Sequence, residues 1–387
     1  MRSIATHVGS CLLVLPLIAS PVGAADLIVS AQDGKFVRVE GQATFPQPAP
    51  PDSLVVLDAS RFPPGVKATV DQGIEHTVQG PPQAVAISPD GRLAVVAAPT
   101  RYDYAARKEL FDNFLQVVDL EASPPAVIAR VDVGAHPNGL AINREGTLLL
   151  AAAHDGTVKV CTIDGKNVKL AAQVKVGEKR LSGISFTHDG RSAIVALRDE
   201  NGAAVLAVDG AQVALTKERI ATGVNPYAVD VSSDGRWAVI GNTGVSRTVD
   251  DADVVTLVDV RQRPFRAVQQ ISVTATPEGV AISPDGRWIA VSSMAGSNLL
   301  ASDPGRHKTG VVSLYAIRDG WATKVNEVPG GEAAQGVVFT QDSQTVIVQL
   351  DVEKALALYA VRGGRLVDTG ERIGLAAGPV SIRSMPR

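Results

Sequence analysis

The sequence predicts an all-β fold, a seven-bladed propeller of four-stranded antiparallel blades whose ring is closed by N- and C-terminal strands in one blade. Three observations predict it: one segment recurs along the chain, its hydrophobic alternation has a period of two, and the copies lie 43 to 57 residues apart. The copies are GPPQAVAISPDGR (80–92), GAHPNGLAINREG (134–146), EKRLSGISFTHDGR (178–191), GVNPYAVDVSSDGR (223–236), ATPEGVAISPDGR (275–287) and GEAAQGVVFTQDS (331–343). Matching apolar positions fall at Val85, Leu140, Ile184, Ala228, Val280 and Val337, spaced by 55, 44, 44, 52 and 57 residues. Val380, in GPVSIR, starts a seventh copy 43 residues further on.

Each copy opens with a short apolar run ending in Ser, Thr or Asn, the predicted first strand. The Asp-Gly-Arg that usually follows is a tight turn, because Asp bonds its own backbone and Gly accepts a positive φ. Runs such as LAVVAA (93–98) and WAVIG (237–241) are second strands, and TVKVCTI (157–163) and KLAAQVKV (169–176) are a third and a fourth. A turn at 104–111 is the one stretch with helical character. The seventh copy stops after its first strand, and LIVSAQDGKFVRV (27–39) and SLVVLDAS (53–60) supply runs that this blade lacks. An open ring would leave a sheet edge and an apolar face uncovered, so closure by both termini is expected, within a single domain spanning 25–387.

Residues 1–24 carry Arg2, an apolar stretch from Cys11 to Ala19 and the small residues Val22-Gly23-Ala24, the pattern of a cleaved secretory signal peptide. A periplasmic or secreted monomer is expected, with Cys161 as its remaining cysteine and no internal disulfide. Thirty-seven basic against 40 acidic residues and 4% aromatics exclude the basic, aromatic-studded surface of a nucleic-acid binder. No apolar stretch after the N-terminus has the length of a transmembrane helix.

The recurrent P-x-x-(V/A)-A-I-S-P-D-G-R resembles the YVTN-type seven-bladed propellers, related to lactonase-like and cytochrome d1-like propellers. Six copies carry the resemblance across the mature chain, although YVTN itself is not spelled and Glu145 and Ser343 alter the Asp-Gly turn. The resemblance implies that ligands bind where loops enter each first strand and where second strands pass to third, with the Asp-Gly-Arg turns on the opposite face. Asp90, Asp189, Asp234 and Asp285 are then bracing residues of those turns.

On the implied ligand face the expected binding residues are His136, Asn138, His154, Asp155, Arg180, Tyr227 and Gln335. His136, His154 and Asp155 combine imidazole and carboxylate donors suited to a divalent metal, the one cofactor weighed; otherwise none is expected. Hydrolysis needs a group to activate water and a cation to stabilise an oxyanion, and the candidates are Glu278 with Arg198, Arg306 or His307. Two insertions, Pro99 to Asn113 and Met294 to Thr309, and the proline-rich stretch 40–52 add material to this face. No G-x-S-x-G or C-x-x-C-H motif occurs, which disfavours a serine hydrolase and covalent haem. The leading expectation is an exported scaffold that binds a small molecule or an exported protein. The alternatives are a lactonase-like hydrolase opening a sugar or acyl lactone, and an accessory to a periplasmic redox enzyme.

Overall fold

The computed structural model describes residues 26–248 and 250–386, so the expected signal segment lies outside the described residues. Its seven four-stranded sheets form the blades of one propeller. Blade 1 runs from the inner strand Val85–Ile87 through Leu93–Val96 and Phe114–Asp119 to the outer strand Ala126–Asp132. Blades 2 to 6 follow in chain order from inner strands Pro137–Ile142, Ile184–Phe186, Pro226–Val231, Pro277–Ile282 and Ala334–Phe339. Blade 7 closes the ring: Gly378–Ser384 lies innermost, then Leu27–Asp33, Ser53–Asp58 and Gly65–Val70. The two ends of the chain pair antiparallel from Ile28 opposite Ser384 to Asp33 opposite Gly378.

Three expectations need correction. Pro137, Pro226 and Pro277 hold the same place in their sheets, each followed by a bulge, and Leu140, Val229 and Val280 stand three residues after them. The match in blade 4 is therefore Val229, not Ala228. The run 27–39 is not one strand either, since Leu27–Asp33 ends at a turn and Val37–Val39 pairs with Gln42–Thr44 in a separate hairpin. At 104–111 a second hairpin, Thr100–Asp103 with Lys108–Phe111, stands where a helical turn is expected.

The burial pattern explains why the inner runs are so continuously apolar. Inner strands are sandwiched between neighbouring blades, so Pro137–Ile142 and Leu148–Ala153 are buried throughout. Outer strands such as Asn167–Lys175 meet solvent at most positions. The core lies between blades: Leu115 and Val117 of blade 1 pack with Leu149 and Ala151 of blade 2, and Ile28 and Ile382 of blade 7 pack with Ile347 and Leu358 of blade 6. The turns behave as expected, since Asp90 accepts from Ser88 Oγ at 2.5 Å and from Arg92 N at 3.1 Å while Gly91 sits at φ 71°. Asp189, Asp234 and Asp285 repeat both contacts.

Side chains also join blades across the ring. Gln83 of blade 1 exchanges two 2.9 Å hydrogen bonds with the Val229 backbone of blade 4. Arg383 of blade 7 pairs with Asp230 of blade 4 at 3.1 Å and donates to the Ile184 carbonyl of blade 3 at 3.1 Å. Ile382→Ala, which empties a fully buried closing-strand site, should lower stability by about 3 kcal/mol in urea unfolding. Ile128→Ala on the exposed outer strand of blade 1 should change it by less than about 1 kcal/mol.

Candidate functional site

A cavity of about 530 Å³ opens on the face formed by the entering loops and the loops between second and third strands. Its geometry starts from a repeated backbone position. Two residues before the first apolar anchor of the inner strands of blades 1 to 6 stand Gln83, Asn138, Ser182, Tyr227, Glu278 and Gln335. All are buried, because the entering strands converge there, and all are polar. Asn138, Tyr227, Glu278 and Gln335 line the cavity.

Charge is added from the loops. Arg180 comes from the loop entering blade 3, Arg198 from the 3₁₀ turn Arg198–Glu200 after its second strand, and Arg247 from the corresponding loop of blade 4. Arg38 comes from the Val37–Val39 hairpin of blade 7. Arg198 lies 4.3 Å above the Tyr227 ring and donates to Thr243 Oγ1 at 3.2 Å. The buried Nε atoms of Arg38, Arg180 and Arg198 have no hydrogen-bond partner within the protein, nor does Asn138 Oδ1. Buried polar atoms are nearly always satisfied, so this concentration marks a place built to receive a polar molecule.

Glu278 is the carboxylate of the cavity and is only 7% exposed. Burial pushes its pKa up to about 7, against the pull of Arg198 and Arg38 and the hydrogen bond from the Tyr227 hydroxyl. Burial likewise raises the Tyr227 phenol, which stays protonated as a donor. Asp351, in the loop after the second strand of blade 6, is pushed up to about 7 by burial, with Arg38 Nε at 4.0 Å opposing the shift.

The hairpin that delivers Arg38 is fixed at both ends. Ala301 N donates to the Glu40 carbonyl at 2.9 Å, and Phe45 stacks on Tyr102 at 3.8 Å while the Tyr104 hydroxyl donates to the Pro46 carbonyl at 2.6 Å. Below it, buried Lys35 bridges Asp33 at 3.1 Å and Asp52 at 2.9 Å. All three insertions of the loop face therefore brace one another.

The expected residues divide. Asn138, Arg180, Arg198, Tyr227, Glu278 and Gln335 come together. His136 and His154 meet each other, with ring centroids 4.6 Å apart, but are not part of the cavity lining. Burial lowers both imidazoles, His154 to about 3, so both are neutral. Asp155 does not join them, because it accepts from Thr157 N and Oγ1 and from Lys159 Nζ in its own turn. Among the described residues no group of three or more His, Cys, Asp or Glu side chains is arranged to hold a metal, and the expected triad is not assembled. Arg306 turns away to Glu332 at 2.6 Å, and His307 is exposed on the same loop. Arg38 escaped notice because its segment reads as a strand; the Asp33-Gly34 pair was the available signal of a break.

No family model matches the chain, and no curated protein does. Solved structures do share its fold. A functionally unknown protein from Desulfotomaculum acetoxidans is 12% identical, with 93% of this chain and 98% of that chain covered and a TM-score of 0.67. The Pseudomonas aeruginosa periplasmic gluconolactonase is 16% identical, with 93% and 99% covered and a TM-score of 0.63. Kuenenia stuttgartiensis hydrazine synthase is 20% identical, with 80% and 91% covered and a TM-score of 0.58. At these identities the likeness is one of fold, the seven-bladed propeller to which lactonase-like proteins also belong.

Glu278 bears on stability as well. Its folded pKa lies near 7, above the ordinary 4.5, so folding favours the protonated form. The resulting destabilisation is absent below pH 4.5, grows as pH rises through 7 and is complete above it. Glu278→Gln should therefore gain stability relative to the wild type as pH rises from 4 to 8, by on the order of 3 kcal/mol in urea unfolding. A pH-independent difference would contradict the assigned burial.

Proposed function

We propose that this chain is an exported binding protein for a small anionic, hydroxyl-bearing molecule, held in the loop-face cavity. One observation carries the proposal: four guanidiniums, those of Arg38, Arg180, Arg198 and Arg247, and a single carboxylate, Glu278, line that cavity. Guanidinium groups recognise carboxylates and phosphates through paired charge-assisted hydrogen bonds. Asn138 Oδ1 adds an acceptor for a hydroxyl, and Gln335 and Tyr227 add further polar contacts. The volume suits a molecule of metabolite size. Export is proposed from residues 1–24 and is tested by recovery of the mature chain in an osmotic-shock fraction.

A second function, lactone hydrolysis, is favoured by Glu278 itself. A carboxyl poised near neutrality beside cations has the properties of a general base facing an oxyanion site. Water would attack the lactone carbonyl carbon while Glu278 takes its proton, with Arg198 and Arg38 opposite the developing oxyanion. The ring C–O bond then breaks, the ring oxygen takes the proton back, and a hydroxy acid leaves. The shared fold of the Pseudomonas gluconolactonase supports the same function.

Calorimetric titration with gluconate tests the binding function. Arg198→Met should weaken affinity by at least about ten-fold, the loss of a charge-assisted contact, whereas His307→Ala should leave it within about two-fold. Equal effects of the two substitutions would place the ligand elsewhere. If the hydrolytic function holds, acid release from a panel of sugar and acyl lactones should rise with pH through about 7 and fall roughly 100-fold in Glu278→Gln. Absence of turnover on every lactone would leave binding alone.

A further inference from the structure

Glu278 faces charged or titratable groups from three other blades: Arg38 from blade 7, Arg198 from blade 3 and Tyr227 from blade 4. The remaining charges nearby are engaged. Arg180 pairs with Asp199 at 3.3 Å and Arg247 with Asp303 at 2.7 Å. Asp253 accepts from Thr276 N at 2.8 Å, and Asp351 faces Arg38 at 4.0 Å. Arg198 has no carboxylate within ion-pair distance among the described residues, and its Nε is buried without a hydrogen bond, as is that of Arg38.

An anion bound in this cavity meets the same two guanidiniums that oppose Glu278. A second negative charge in so buried a site repels the first and raises the pKa of whichever carboxyl is the weaker acid. The carboxylate of a sugar acid is a strong acid and stays ionised, whereas Glu278 already sits near neutrality, held there by burial. The proton therefore goes to Glu278.

We propose that an anion enters the cavity together with one proton, taken up by the Glu278 carboxylate as the ligand replaces its negative charge opposite Arg38 and Arg198. The proposal rests on the anion-binding function above and adds proton uptake to it. The proton comes from solvent, forms an O–H bond on Glu278 and leaves the charge of the occupied cavity equal to that of the empty one. Glu278 then becomes a hydrogen-bond donor to the ligand, while its other oxygen still accepts from the Tyr227 hydroxyl. The site thus favours anions by completing, when one binds, a donor that is only partly formed in the empty cavity near neutral pH.

The test is a titration of the full chain with gluconate in weakly buffered solution, with proton uptake read by pH-stat and affinity read by calorimetry from pH 6 to pH 8. Uptake should be about half a proton per gluconate at pH 7 and approach one at pH 8, and affinity should weaken about five-fold between those values. Glu278→Gln, neutral and of the same shape, should bind gluconate without uptake and with an affinity nearly independent of pH. Gluconate binding to the wild type without uptake, or uptake that persists in Glu278→Gln, overturns the proposal while leaving the anion-binding function intact. Failure of gluconate to bind anywhere in this range overturns that function and the proposal with it.

Discussion

The pairing of Leu27–Asp33 with Gly378–Ser384 is the contact on which the rest of this molecule depends. Each inner strand is buried on both faces because a neighbouring blade covers it, and the seventh neighbour exists only when the chain's two ends meet. Without that pairing, blades 1 and 6 would each expose a core face, Val85 and Val96 on one side and Ile347 and Leu358 on the other. The Arg383–Asp230 and Gln83–Val229 contacts act in the same direction, tying blades 7 and 1 to blade 4 across the ring. The first is half-buried and the second buried, so their worth lies in fixing which strands face each other more than in net stabilisation.

Closure also decides where chemistry can lie. A ring of repeated blades brings the same backbone position of blades 1 to 6 toward its centre, two residues before the inner-strand anchor, and four of these residues line the cavity. Such a position is too buried for a free charge and too close to the mouth for a purely apolar side chain. Here it holds amides, a hydroxyl, a phenol and one carboxyl, and the carboxyl is the group whose burial costs most. The blade-7 hairpin breaks the symmetry by bringing Arg38 against that carboxyl from the far side of the junction.

Much of the fold was legible in the sequence, because a period-two alternation with a turn that only Asp and Gly serve well leaves few architectures open. The register in blade 4 slipped by one residue, since Ala228 and Val229 are both apolar and only the bulge after Pro226 distinguishes them. The site was legible where it depends on the repeat: Asn138, Tyr227, Glu278 and Gln335 occupy one position of the unit. It was not legible where insertions fold on one another. Nothing in the residues around Arg306 and His307 tells that the first pairs with Glu332 and the second faces solvent, or that Asp155 satisfies its own turn. Arg38 was hidden by the opposite error, a broken strand that looks continuous.

The two kinds of residue answer to different forces. Positions set by the repeat are held by strand pairing and core packing, and changing their side chains leaves the backbone in place. Positions set by the insertions are held by contacts such as the Phe45–Tyr102 stack, which belongs to no blade, and the Lys35 bridge from Asp33 at the end of a blade 7 strand to Asp52. A ligand that spans Glu278 and Arg38 therefore joins the rigid part of the molecule to the part that specifies it. The carboxyl comes from the scaffold and the opposing cation from the insertion, so the charge balance at the mouth depends on both being in place. That is why the electrostatics of this cavity, and not its shape alone, can differ among propellers whose blades superimpose.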